Sequence, residues 1–567
     1  MKLSELGRTD TPVDYQKVRF DYERSPDQDA PRPVRHPVVV AGAGPVGMCL
    51  AIDLAQQNVP VVLLDNDDTL SVGSRAICFA KRTLEIFDRL GVGQRMMDKG
   101  VSWKIGKVFF DDELLYSFDL LPETGHERPA FINLQQYYCE GYLAERIAQL
   151  PLIDLRWKNR VVGVERHDDH VVVDIETPEG EYRLEADYLV GCDGSKSTVR
   201  QLIGQESKGR VFRDRFLIAD IKMEMDRPAE RWFWFDPPFH RNQSVLLHMQ
   251  PDGVWRVDFQ LGWDADPEVE KRPENIKPRI DALLGRDARY ELEWASVYTF
   301  ACLRMDKFRH GRVFFAGDSA HGVSPFGARG ANSGIQDAEN LAWKLAMVIH
   351  GQAGDALLDS YGAEREYAAD ENILNSTRAT DFITPKSEIS RLFRDAALCL
   401  ARKHPFARSI VNSGRLSVPA TLRDSPLNTP DSDPFEGRMV PGAPAADAPV
   451  RLPDGSDGWL LRQFATGRFA AMVYGDGNHE AELLAAAEQL SRAAEGLAPL
   501  EVLRIVAQGT RPCSGAIVDK DGLIAQRYDL KPGNVVLLRP DQHVCARWRR
   551  AGIEPVRVAL RTALCAA

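Results

Sequence analysis

Two hydrophobic periods divide this chain into elements. In "HPVVVAGAGPVGMCLAIDLAQQNVPVVLLDND" the apolar run 38–41 ends in glycines, helical spacing follows over about 45–57, and a second apolar run covers about 60–65. Short apolar runs bounded by turn residues read as buried strands, so the order predicts a β-α-β unit of a parallel sheet. "SRAICFAKRTLEIFDRLGVGQRMMDKG" reads as a helix interrupted at Gly91 and Gly93, "IGKVFFDDELLYSFDL" as a hairpin, and "LQQYYCEGYLAERIAQL" as another helix. Alternation in "RVVGVERHDDHVVVDIETPEGEYRLEADYLVGCDG" predicts strands that meet at polar turns.

From about 206 to 300 the texture changes to aromatic strand-like segments, "RWFWFDPP", "QSVLLHMQ" and "VWRVDFQLGW". They predict a mixed sheet inserted between pieces of the first domain. Past residue 400, "LRDSPLNTPDSDPFEGRMVPGAPAADAPVRLPDGS" reads as a linker or long ordered loop. A small α/β unit follows, with a helix near 479–495. The expected division is an extended arm (1–36), a first domain in three pieces (37–100, 121–205 and, with following helices, 301–400), a hairpin that belongs with the inserted sheet (101–120), that sheet (206–300), the linker or ordered loop (401–449) and the last unit (450–567).

With 567 residues the chain exceeds what one hydrophobic core holds. A net charge of -11 argues against a generic nucleic-acid or anionic-membrane surface, so small molecules are the expected partners. Nine Cys without short repeated spacing suggest neither a disulfide framework nor a structural zinc site, and cytoplasmic residence is expected. The Pro-, Asp- and Arg-rich N-terminal arm lacks a signal-peptide core, and no stretch reaches the ~20 apolar residues that span a bilayer. Tyr15, Phe20 and Tyr22 could pin that arm to the surface.

Chemistry enters at Gly42, Gly44 and Gly47, a G-x-G-x-x-G between strand and helix that includes Pro45 and Val46, with Asp65 at the end of the next strand. Gly42 permits the tight turn, Gly44 lets backbone approach a pyrophosphate, Gly47 allows close helix packing, and Asp65 can accept from a ribose hydroxyl. The fingerprint alone leaves FAD and NAD open.

Two later stretches, "GCDGSKSTVR" and "GRVFFAGDSAHGVSPFGARGANSGIQDAENLAWKL", complete a set that resembles the single-component (class A) FAD-dependent aromatic hydroxylases. 3-(3-Hydroxyphenyl)propionate hydroxylase and phenol hydroxylase belong to that family. The resemblance covers about residues 38–350. It implies an α/β fold with a Rossmann-like FAD-binding domain, an inserted mixed β-sheet substrate domain and a C-terminal thioredoxin-like domain.

By the same resemblance Gly317 and Asp318 make the second FAD contact, and the run from Pro325 through Gly327, Arg329, Gly330 and Ala331 to Asn332 passes the flavin ring. A helix starting near Ser333 would point its positive end there. Asp193 matches the family Asp-Gly motif, with Arg200 following, Arg75 the arginine near the pyrophosphate or ring, and Gln136 (or its neighbour Gln135) the glutamine on the ribityl chain. His321 reads as structural.

The implied reaction hydroxylates a phenol or other electron-rich aromatic with O2 through a flavin C4a-hydroperoxide, NAD(P)H being a transient co-substrate. Pro325 and Gly327 of the ring loop, with His248 and Tyr298 of the inserted sheet, are the catalytic candidates; Arg231 and Asp220 are further candidates to activate the phenol. Trp232, Phe233, Trp234 and Phe235 should split between the two sheet faces. The C-terminal unit lacks C-x-x-C, with Cys513 and Cys545 far apart, so thiol redox work is not expected of it. No metal is implied, and a homodimer is expected. An FAD-dependent dehydrogenase or oxidase without oxygen insertion, or a non-catalytic flavin-binding module, are the alternatives.

Overall fold

The computed structural model describes residues 1–6, 13–73, 76–224, 226–411, 417–477, 479–509 and 515–566. Arg75 and Cys513 lie outside the described residues. Three large sheets and one small one carry the described residues. In the first, the parallel strands Val313–Phe315, Gly180–Gly191, Val34–Ala41, Val61–Leu64 and Ile153–Arg156 lie side by side in that order. Val38, Val39 and Val40 are wholly buried, as a strand covered on both faces requires. Helices Pro45–Gln56 and Gly330–Ile349 pack together over this sheet.

Register decides where the site lies. Ala41 pairs with both Leu64 and Gly191, and Gly191 pairs with Phe315, so these strands end level with one another. The turns beginning at Gly42, Asp65, Cys192 and Ala316 therefore leave from one edge, the carboxyl edge at which open α/β sheets bind ligands.

The inserted sheet runs in the order His321–Gly322, Glu291–Met305, Ser207–Lys222, Val254–Leu261, Ser244–Met249, Arg231–Phe235, Ile105–Phe110, Glu113–Asp119. It is antiparallel except where Arg231–Phe235 meets Ile105–Phe110; the hairpin at 101–120 joins it as expected, and it reaches past the expected 206–300 segment to His321–Gly322. Alternation splits the aromatic run as expected. Trp234 packs with Leu247 and Val257 against Ile276 and Ile280 of helix Pro273–Leu284, with Trp232 at the margin, while Phe233 and Phe235 join Phe216, Phe300 and Phe326 on the face toward the first domain.

The stretch expected to be helical from residue 74 begins differently. Cys78–Ala80 is a strand paired with Phe131–Asn133, which also pairs with Val101–Trp103, and the helix starts only at Lys81.

Tyr15, Phe20 and Tyr22 tie the arm down. The Tyr15 hydroxyl donates to Glu145, the Phe20 ring stacks on Trp157 at 4.4 Å, and the Tyr22 hydroxyl donates to Gln28 and Thr177. Gly141 makes room for this attachment, because a Cβ there would stand 2.4 Å from the Tyr15 ring. Gly141→Ala should cost about 1–3 kcal/mol through overpacking. The expected result is a lower melting temperature with earlier proteolytic release of the arm, checked by thermal unfolding and limited proteolysis.

The third sheet centres on Leu500–Val506, Phe469–Gly475, Val535–Leu538 and Val544–Trp548. Its first pair is parallel and its last two strands form an antiparallel hairpin. A cluster of wholly buried charges welds it to the first domain. Arg539 donates to Asp541 (2.6 Å) and to Glu364, Lys344 donates to Glu364 (2.7 Å), and Asn340 donates to Glu364 (2.7 Å) and Asp541 (3.1 Å). Arg82 adds bonds to Glu339 (2.8 Å), Gln542 (3.1 Å) and the Asp541 carbonyl (2.8 Å). Among the described residues no helix is long and apolar enough to cross a membrane.

Candidate active site

The three glycine-bearing motifs touch. A Cβ on Gly42 (φ +106°) would meet the Cys192 carbonyl oxygen at 2.5 Å, and one on Gly47 would meet the Gly42 oxygen at 1.9 Å. Val46 fills the space beside Gly317 and Gly334, whose added Cβ atoms would lie 2.9 and 2.7 Å from it. Gly44 is different, since nothing lies within 4 Å of its Cβ position and its backbone is extended. Its small size answers no contact inside the protein. As N-cap it also offers no side chain, so the first N–H groups of helix Pro45–Gln56 stay uncapped and point into the cleft.

Each acidic residue at this edge has a distinct condition. Asp65 accepts from the N–H groups of Ala43 (2.6 Å) and Asp67 (2.8 Å), which fixes the first turn and leaves lone pairs free on its partly buried carboxylate. Asp193 accepts from the Val199 N–H (2.9 Å) through Oδ2, while its buried Oδ1 has no partner. Arg200 ties the same turn to the second motif by donating to the Ser319 (2.7 Å) and Ser195 (2.7 Å) carbonyls. Asp318 is reachable by solvent yet enclosed by protein, which raises its carboxyl above the usual range, with His321 pulling down and Asp337 pushing up. An enclosed, open carboxylate marks a cleft floor.

Behind Asp318 stands a buried clamp. Asp337 accepts from the Gly317 N–H (3.0 Å), His321 Nε2 (2.6 Å) and Arg365 Nε (2.6 Å). Burial works to raise its pKa, but His321 and Arg365 overcome that and hold it below the ordinary value. His321 is thus engaged in holding the turn.

The loop after it is tight. Ala328 donates its N–H to the Pro325 carbonyl (3.0 Å), and Gly327 (φ +103°) and Ala328 (φ +52°) are both left-handed. Asn332 holds this shape with a fully used side chain. Its Nδ2 donates to the carbonyls of Cys78 (2.8 Å) and Ala328 (2.6 Å), and its Oδ1 accepts from the Ala80 N–H (2.8 Å) and the Thr83 hydroxyl (2.6 Å). The helix expected near Ser333 starts at Gly330, again without a side-chain cap. Arg329 is buried and donates to Asn372 (3.0 Å), so it does not face bulk water. Gln136 donates to Ser71 (2.9 Å) and Glu140 (2.7 Å) and accepts from the Ala76 N–H (3.0 Å), bracing the segment that leads to Cys78. Gln135 instead donates to the Pro251 carbonyl (3.3 Å).

The inserted sheet turns a polar wall toward this loop. Register places Arg231 and Arg256 on either side of His248, and Asp220 next to Arg256. Arg256 donates to Asp258 (2.9 Å), whereas Arg231, enclosed by protein, makes no ion pair among the described residues, and its Nη1 has no hydrogen-bond partner. His248 is buried, with Nε2 unpartnered and Nδ1 4.0 Å from the Cys78 sulfur. Burial, then Arg231 and Arg256, hold it well below its usual pKa, so the imidazole is neutral. Tyr298 borders the aromatic half of the same face, beside Phe216 and near Phe326.

Sequence reasoning missed Asn133 and Gln250. Asn133 accepts from Trp103 Nε1 (2.7 Å) and Cys78 Sγ (3.1 Å) and donates to the Met249 carbonyl (2.7 Å), which joins the small sheet to the polar wall. Gln250 is wholly buried with neither amide atom partnered. Their signal was a single amide closing each of two apolar strands, "FIN" and "VLLHMQ".

The family described as an FAD binding domain matches residues 35–376. A 6-methylpretetramide 4-monooxygenase of Streptomyces rimosus is 31% identical over 543 residues, 93% of this chain and 92% of that protein. The chain belongs to the class A, single-component FAD-dependent aromatic hydroxylases. A probable NADH-specific resorcinol 4-hydroxylase of Rhodococcus jostii (strain RHA1) is 35% identical over 58% of this chain and 62% of its own. A 3-(3-hydroxy-phenyl)propionate/3-hydroxycinnamic acid hydroxylase of Burkholderia vietnamiensis (strain G4 / LMG 22486) is 27% identical over 93% and 96%. The crystal structure of the flavin-dependent monooxygenase PieE superimposes with a TM-score of 0.79 at 21% identity, covering 94% of this chain and 99% of that one, a likeness of fold.

The hydroxylase is an FAD-dependent monooxygenase that uses NAD(P)H and O2. Its own residues fit that cofactor. Space beside Gly44, uncapped helix N-termini, an enclosed open carboxylate at Asp318 and an orphaned Asp193 oxygen together suit a molecule carrying a pyrophosphate and several hydroxyls.

Proposed function

We propose that the hydroxylase acts on a phenol carrying a second anionic or strongly polar group, bound between the Pro325–Asn332 loop and the wall of Arg231 and His248. The observation that carries this reading is the enclosed Arg231 guanidinium without a carboxylate partner. Burying a cation without a counter-charge is costly, so the charge belongs to a ligand. The relatives named for resorcinol and for 3-(3-hydroxy-phenyl)propionate act on phenols, the second of them an acid, and both names support the same class.

FAD, when bound, supplies the reaction with NAD(P)H and with O2. Gly42, Gly44, Pro45, Val46 and Gly47 would hold its pyrophosphate and Asp65 a ribose hydroxyl. Gly317, Asp318 and Asp193 would take the remaining hydroxyls, directly or through water. Pro325, Gly330, Ala331 and the Asn332 backbone would line the ring, the side chain of Asn332 being already committed. Gln136 would act by holding Ser71 and Ala76 in place.

Arg231 lowers the energy of a phenolate or carboxylate beside it, which makes the ring more electron-rich. His248, neutral at physiological pH, accepts the substrate hydroxyl's hydrogen bond at Nε2 and so positions the phenol; its depressed pKa makes it a poor proton acceptor. Tyr298, Phe233 and Phe326 exclude water around the ring. The third unit is proposed to be a thioredoxin-like domain kept for packing, which its β-α-β pair followed by an antiparallel hairpin supports.

Arg231→Met tests the substrate reading. In a screen of phenolic acids against their neutral esters, the wild type should favour the acids, and the variant should lose roughly 100-fold in kcat/KM on them, about 2.8 kcal/mol, with FAD content unchanged. Equal rates on acids for both proteins would sink it.

A further inference from the structure

Helix Glu388–Lys403 is apolar on two opposite sides. Leu398 and Ala401 face inward and pack under the inserted sheet with Phe233 and Phe235. On the outer side Ile389, Leu392, Phe393 and Leu400 are exposed at 81, 72, 61 and 45%. Their spacing puts them on one stripe, and Phe406 just beyond the helix extends the patch with 67% exposure. A contiguous apolar stripe on the side turned away from the core marks an interaction surface rather than a solvated face.

We propose that a second copy of this chain docks here, helix against antiparallel helix, about a twofold axis at Ala396. The stripe is self-complementary about that residue. Counting outward, Leu392 meets Leu400 of the second copy, Phe393 meets Cys399, and the Glu388–Ile389 end meets Lys403, so apolar faces apolar and the acidic helix start faces the basic helix end. Ala396 is exposed and small enough to let the two backbones approach at the axis. A twofold makes each of these contacts twice.

The charge around the patch favours a second copy over a lipid surface. Arg402 is paired with Glu113, Arg394 with Asp395 (2.8 Å) and Lys386 with Asp214, while Arg391 donates to Asn242 (3.1 Å). Their charge is largely satisfied on the protein, and the chain as a whole carries -11. An anionic bilayer draws on unpaired cations.

Sedimentation velocity of the FAD-loaded enzyme at micromolar concentration should give twice the chain mass. Phe393→Glu, at an exposed position, should weaken the dimer at least ~100-fold while leaving FAD content and melting temperature of the monomer unchanged. Ala396→Cys in a Cys399→Ser background should form an intermolecular disulfide on mild oxidation, because residue 396 faces its own copy. A wild type that sediments as a monomer overturns the proposal, and so does one that is monomeric and floats with phosphatidylglycerol vesicles. A Phe393→Glu protein that remains dimeric places the interface elsewhere and equally overturns it.

Discussion

Gly44→Val is expected to give a folded, soluble protein that no longer retains FAD. The position has an ordinary extended backbone and open space where a side chain would go, so the fold loses only about 1 kcal/mol from an unfavourable N-cap. The added methyls, however, occupy the route by which a pyrophosphate reaches the uncapped N–H groups of helix Pro45–Gln56. FAD affinity should fall about 100-fold or more, which is about 2.8 kcal/mol. Titration followed by flavin fluorescence measures this directly, and the melting temperature should rise with added FAD in the wild type only. Gly47→Ala is the contrast. Its methyl would stand 1.9 Å from the Gly42 carbonyl oxygen, so that variant should fail to fold at all. If Gly44→Val binds FAD normally, the cleft assigned to the cofactor is wrong.

Arg539→Leu should destabilise the whole chain by about 3–5 kcal/mol, because it removes the cation shared by two carboxylates with no solvent access and leaves Lys344 and His543 to offset them. Burial acts to raise the carboxyl of Glu364, but Arg539 and then Lys344 overcome it and hold it well below the ordinary range; Asp541 is held down by Arg539 and His543. Carboxylates with depressed folded pKa values contribute stability that is fully present above their unfolded values, about 3.9 and 4.3, and is lost as pH falls through the folded ones. The wild type should therefore lose stability steeply below about pH 4, whereas Arg539→Leu, having lost that term already, should show a shallower acid limb in urea unfolding at stepped pH. Arg539→Leu combined with Glu364→Leu should recover part of the loss. An unchanged midpoint in the single variant would mean that the cluster does not weld the third sheet to the first domain.

Local chemistry was readable before any coordinates. The turn at Gly42, the helix after it and the strand ending at Leu64 follow from residues adjacent in sequence, and their bounds moved by a residue or so. The partition of Trp232, Phe233, Trp234 and Phe235 was readable for the same reason, because strand alternation is a local rule. What escaped depends on distant partners. Cys78–Ala80 is a strand because Phe131–Asn133 lies beside it, some fifty residues later, and helix propensity on its C-terminal side masked it. The inserted sheet is wider than its compositional signature because Glu291–Met305 runs on to pair with the strand after Asp318. Arg231 was one of four polar candidates on the inserted sheet, and what sets it apart, the lack of a carboxylate partner, depends on residues distant in sequence; so do the four bonds that commit the Asn332 side chain.

Those four bonds have a mechanical result. Asn332 rivets the loop at 325–331 to the strand Cys78–Ala80 and to Thr83, so these three segments behave as a single stiff jaw. Shortening that side chain should therefore loosen the loop, the strand and the start of helix Lys81–Arg89 together rather than one at a time.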